Sequence, residues 1–186
     1  MSNHARGLWG YTGRTAAGRE LTIQSTGMGG PSAALVLADL AKLGVRRAVR
    51  VGTCTAVAGH AKLGELLLPS EAVAGGGSTA SFGLDTGAAI AVDGDLLEQL
   101  RDALGGAARE AGVVSIDTMH PPGELPAEVE AADMQTVAVL ARARSLSIAA
   151  AVILIVSEAS KRQLPDDELE LCAKRAGQAA VEGLSR

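Results

Sequence analysis

A chain of 186 residues, 47% hydrophobic and with a formal charge of −4, can bury the core of one domain but divides poorly into two. A single tryptophan, tyrosine and phenylalanine exclude a platform for stacking single-stranded bases, and no long basic run supplies a nucleic-acid footprint. Cys54 and Cys172 belong to no CxxC or Cys/His spacing, so neither a zinc site nor a disulfide framework is expected. With no signal-like start and no apolar run of membrane-spanning length, the composition predicts a soluble protein of the reducing cytoplasm, not a membrane protein.

Residues 21–25 read as a short strand, which Gly27-Met28-Gly29-Gly30 turns into a helix opened by Pro31 and closed at Gly44. Proline suits the first helical position and glycine the residue after the last. Residues 48–51 form the next strand, so strand, glycine turn, helix and strand read as a βαβ unit. A strand at 65–69 precedes Gly75-Gly76-Gly77-Ser78, whose glycines predict a flexible loop and a candidate lid. Residues 94–112 read as a helix, 113–118 as a strand, 134–146 as a helix and 148–156 as a buried apolar strand. The proline-rich, acidic loop 120–130 is expected to be exposed. A final helix follows Pro165, with Asp166, Asp167 and Glu168 in its first turn, where the macrodipole favours acids.

This alternation predicts an α/β fold, one domain over residues 1–186, with a mixed, mostly parallel central sheet flanked by helices. Abundant Ala, Val, Leu and Gly suit close packing of helices on such a sheet. Open sheets of this kind bind ligands at the carboxyl ends of their strands. That singles out Val49-Arg50-Val51-Gly52-Thr53-Cys54-Thr55, which sets an arginine and small polar residues at a strand end. A guanidinium fork matches phosphate oxygens. Taken alone, the segment fits a surface arginine beside an ordinary turn equally well.

Arg6-Gly-Leu-Trp-Gly-Tyr-Thr-Gly13, Ser25-Thr-Gly-Met-Gly-Gly-Pro-Ser32, Arg50-Val-Gly-Thr-Cys-Thr-Ala56, Asp133-Met-Gln135 and Ser157-Glu158 together resemble the nucleoside phosphorylase family. The likeness is to its bacterial hexameric branch of purine nucleoside and uridine phosphorylases, in order and approximate spacing. The resemblance implies that Arg50 and Thr53 bind phosphate, and that Arg6 reaches a neighbouring subunit's phosphate site. It thereby implies a homo-oligomer, a dimer at least, with a hexamer built as a trimer of dimers as the larger assembly. It sets Met28 and Met134 against the sugar and Gln135 where relatives bind sugar hydroxyls through a glutamate. Cys54 and Thr55 take base-contacting positions, and Met119 stands where relatives often place an aromatic ring over the base. Ser157-Glu158 replaces a Ser-Asp pair whose acid protonates a departing purine. Inorganic phosphate is the co-substrate, and no metal or organic cofactor is implied.

The chain also departs from that pattern. Gln135 is neutral and cannot stabilise an oxocarbenium-like sugar as a carboxylate does, Glu158 is longer than aspartate, and Thr55 replaces a glycine and narrows the base space. Arg162-Gln163 resembles a pair whose arginine closes onto the catalytic acid, with a shorter intervening loop. Relatives carry a further strand and a Gly-Asp-Pro phosphate loop ahead of the segment matching Arg6. The sheet is therefore expected to be one strand short and the anion cradle incomplete, whether the recorded start is internal or the chain is a reduced relative. The expected activity is phosphorolysis of purine nucleosides to free base and (deoxy)ribose 1-phosphate. The alternatives are a nucleosidase, against which Arg50 speaks, and a catalytically weak nucleoside-binding relative, which Gln135, Thr55 and the absent loop favour.

Overall fold

The computed structural model describes residues 7–57, 61–118, 125 and 128–186. It opens on a hairpin of β1 (Gly10–Arg14) and β2 (Glu20–Gln24), paired antiparallel from Gly10 and Gln24 to Arg14 and Glu20. The strand expected at 21–25 is β2, but it pairs with β1 alone and lies outside the main sheet. The first strand, turn and helix are thus not a βαβ unit, because β1, whose glycines weaken its strand signal, takes up the backbone hydrogen bonds of β2.

Next come α1 (Gly30–Lys42), β3 (Arg47–Ala56), β4 (Leu66–Leu67), β5 (Glu71–Ala74), a 3-10 helix over Gly77–Phe82, β6 (Ala89–Ala91) and α2 (Gly94–Leu104). They are followed by β7 (Ala108–Arg109), β8 (Val113–Ser115), β9 (Ala131–Asp133), α3 (Thr136–Ser145), β10 (Ala149–Ala159), β11 (Arg162–Gln163) and α4 (Asp166–Ser185). The 9-stranded sheet runs β6-β5-β8-β9-β3-β10-β4-β7, with β11 against β10. The β3–β10, β5–β8, β8–β9 and β4–β7 pairs are parallel and the remaining pairs antiparallel. This is a mixed α/β sheet. One core joins α1 and α3 to Cys54, Val152, Leu154 and Val156; the other joins α2 and α4 to Ala151, Ile153 and Ile155. No helix among the described residues is long and apolar enough to cross a membrane.

Several boundaries move for local reasons. The helix expected over 94–112 stops at Leu104, because Gly105 and Gly106 both take positive φ (55° and 81°), a conformation glycine adopts without steric cost. The glycine loop at 75–78 is anchored: Ser78 donates through its backbone N to Asp117 Oδ2 at 2.9 Å and through its hydroxyl to Oδ1, and the chain coils into the 3-10 helix with Thr79 buried. Most of the loop 120–130 lies outside the described residues, but Val129 is buried, not exposed. Both central strands outrun their sequence signal, β3 to Ala56 and β10 to Ala159, because they pair with each other as far as Thr55 and Glu158 and their last residues pair with β9 and β11. Arg50 therefore sits within a strand, and Ser157-Glu158 continues β10 instead of following it.

On its other edge β3 pairs with β9 only at Thr55 and Ala56. Among the described residues no strand lies beside Arg47 to Thr53 on that side. A groove of about 1000 Å³ opens there, lined by Val36, Leu37 and Leu40 of α1 and by Gly177, Ala180 and Val181 of α4.

Candidate functional site at the ends of the central strands

Arg50 leaves β3 on the same face as Ala48 and Cys54, by the two-residue period of a strand. Its guanidinium lies over Gly52, where a Cβ would fall 1.4 Å from Nη1. The glycine of the Arg-Val-Gly motif is the space the arginine occupies. Nη2 donates to Asp133 Oδ2 at 2.8 Å, with the two side chains 11% and 0% exposed. Nε is buried without an acceptor, so the arginine is held at one nitrogen and left a free donor at another.

Asp133 is in turn fixed from every side. Its Oδ1 accepts from Ser115 Oγ at 2.6 Å, and its Oδ2 from Thr136 Oγ1 at 2.8 Å, Thr136 N at 2.9 Å and Gln135 N at 3.1 Å. The carboxylate thereby satisfies the opening amides of α3 and meets the positive end of its dipole. Asp133 and Ser115 were not foreseen as site residues. Asp133 lies two residues before the helix cap at Gln135, and nothing in the sequence ties it to Arg50.

The turn between β2 and α1 is closed by the same segment. Gln135, buried, donates from Nε2 to Gly27 O at 2.8 Å and to Gly29 O at 3.2 Å, and its Oε1 accepts from Thr26 Oγ1 at 3.0 Å. Ser32 Oγ donates to Thr26 O at 2.7 Å. Gly27 and Gly29 take φ of +69° and +78°, and Met28 between them is 83% exposed at the tip. Gln135 and Met28 are thus joined through this turn, with the amide of Gln135 fully engaged.

At the strand ends Thr55 is register partner to Glu158 of β10 and to Ala132 of β9. Ser157 forms a bulge that lets β10 slip by one residue, and its hydroxyl donates to Cys54 O at 3.3 Å. Glu158 is half-buried and pairs with Gln163 across a two-residue turn, Ser160-Lys161, while Arg162 and Gln163 are exposed. Thr55 and Met134 line a small cavity of about 50 Å³ with Val57, Ile116, Leu125 and Asp133, well below the roughly 300 Å³ at which ligand pockets begin. Cys54 is buried, and burial, with Asp133 close by, pushes its thiol up to about 12. Thr53 is exposed and pairs with Ile155, which puts it on the face opposite Arg50. Arg6 and Met119 lie outside the described residues.

The model of the Phosphorylase superfamily matches residues 2–185 of the chain. The chain belongs to this family, that of the nucleoside phosphorylases. Arg50, Cys54 and Thr55 lie on β3, Ser157 and Glu158 on β10, and Met134 and Gln135 between β9 and α3. In this nucleoside phosphorylase fold Arg50 lines the large groove beside β3, whereas Thr55 and Met134 line the small cavity.

Proposed function

We propose that the chain cleaves purine nucleosides with inorganic phosphate, yielding free base and (deoxy)ribose 1-phosphate. The observation that supports this best is the buried guanidinium of Arg50, seated on Gly52 with Nε lacking an acceptor, in a chain of the nucleoside phosphorylase family. A phosphate oxygen attacks the anomeric carbon. The C–N bond breaks with its electron pair going to the base, and Glu158 delivers the proton that the base takes up. Arg50 holds the phosphate through charge-assisted hydrogen bonds, and orientation of the two reactants contributes much of the rate. Arg6 from a partner subunit enters as a further phosphate contact, while Thr53, on the face opposite Arg50, is left out of the phosphate site; Met28, Met134 and Ser157 enter as sugar and strand-end contacts, and Cys54, Thr55 and Met119 as the surround of the base. These roles, the homo-oligomer and the absence of a cofactor rest on the family resemblance.

The test is release of hypoxanthine or adenine from inosine or adenosine, with and without phosphate, in the wild type, Arg50→Ala and Glu158→Gln. Phosphate dependence is expected, with kcat/KM reduced by about 10²–10³ in Arg50→Ala, as for loss of a preorganised charge-stabilising donor. Equal rates without phosphate would mean hydrolysis instead. A second reading, nucleoside binding with little turnover, is favoured by the Asp133 carboxylate on Arg50, which offsets the charge available to phosphate. Calorimetric binding of inosine without product, phosphate being in excess, selects that reading.

A further inference from the structure

We infer that Gln135 is a positioning residue: its amide latches the Thr26–Gly30 turn onto the start of α3, and does not itself read the sugar hydroxyls. Both amide hydrogens are spent on main-chain carbonyls, Gly27 O at 2.8 Å and Gly29 O at 3.2 Å, and the amide oxygen already accepts from Thr26 Oγ1 at 3.0 Å. A carboxylate of the same length offers acceptors only and would set negative charge against two carbonyl oxygens. The site therefore demands an amide, and the choice of glutamine is explained by the turn it closes.

The consequence for specificity rests on the phosphorolysis reading. With both amide hydrogens spent and Oε1 already accepting from Thr26, Gln135 keeps at most one lone pair for the 2′-hydroxyl, so discrimination between ribose and 2′-deoxyribose falls mainly to the turn and to Met28 at its tip. Inosine and 2′-deoxyinosine are expected to be used with similar KM.

Hydrogen exchange of the peptide covering residues 25–33, without ligand, tests the latch independently of any activity. The charged groups packed with this segment are Asp133 on the same turn and Arg50 of β3, joined to each other, and both remain in every variant. Relative to wild type at the same pH, Gln135→Glu should raise exchange roughly tenfold or more at pH 8, the effect of leaving buried carbonyls unpaired. It should recover in part at pH 5, where a protonated carboxyl donates one hydrogen bond. Gln135→Met, close in size with no donor, should raise exchange equally at both pH values, and carries the test if the glutamate variant fails to fold. Wild-type exchange in Gln135→Met, or in a folded Gln135→Glu at pH 8, overturns the latch. With the latch intact, a several-fold lower KM for inosine than for 2′-deoxyinosine that disappears in Gln135→Met overturns the specificity claim, and absence of any turnover overturns only the phosphorolysis reading.

Discussion

At the scale of single residues, the Arg50–Asp133 pair is the most consequential contact in the molecule. Both side chains are almost removed from water, so deleting one partner strands the other's charge in a low-dielectric setting. Asp133→Ala should cost about 3–5 kcal/mol in urea unfolding, and Asp133→Asn, which strands the same charge but keeps an acceptor for Thr136 N, somewhat less. A second residue-level prediction concerns Cys54. Its thiol is lifted from the usual 9.0 to about 12 by burial, so the native state holds the proton while the unfolded state gives it up. The sign follows: this contribution is fully present below pH 9 and is lost as pH rises through the interval toward 12. The native protein should leave Cys54 unalkylated by iodoacetamide at pH 8, and modification should appear only at denaturant concentrations that unfold it.

Among elements, two helix crossings depend on glycine. A Cβ at Gly30 would lie 2.8 Å from the Ala138 Cβ, and one at Gly183 would lie 2.7 Å from a Leu100 methyl. The first contact holds α1 on α3 and so carries the turn that Gln135 closes. Gly30→Ala should cost about 1–3 kcal/mol by overpacking, and should speed hydrogen exchange at 25–33, whereas Gly183→Ala should lower stability and leave that peptide unchanged. A third element contact is polar. Arg47 at the start of β3 donates to Leu184 O at 3.1 Å, to Gly183 O at 3.3 Å and to Gln99, which closes the C-terminal carbonyls of α4. Arg47→Met should lose about 1–3 kcal/mol, read in a thermal scan as a fall of roughly 2–4 °C per kcal/mol.

Across the whole molecule, Arg109 of β7 joins Glu65 ahead of β4 to Glu130 ahead of β9, at 3.0 Å each. This ties segments that no single strand pair connects. The arginine holds the Glu65 carboxyl below its usual 4.5, so the unfolded chain binds that proton more readily. Stability from this pair is present above pH 4.5 and is lost as pH falls through the lowered native value. The urea midpoint should therefore decline below pH 4.5, and Arg109→Met should flatten part of that decline. The uncovered edge of β3 acts at the same scale. Amides from Arg47 to Thr53 that face the groove lack a strand partner among the described residues, and should exchange faster than those of Leu154 and Ile155, which lie between β3 and β4.

Much of this was legible from residue order. Pro31 after a glycine turn marked the start of α1, Pro165 with its three acids marked that of α4, and the run 148–156 marked a core strand, because each of these signals is local. The segments around Arg50, Gln135 and Glu158 were likewise visible as candidate chemistry. What the sequence could not decide was who holds whom. The Arg50–Asp133 and Gln135–Gly27 contacts join residues 83 and 108 positions apart, and a hairpin partner takes β2 away from the sheet. Such pairings have no sequence period, since they follow from which faces meet when the sheet and its helices pack together.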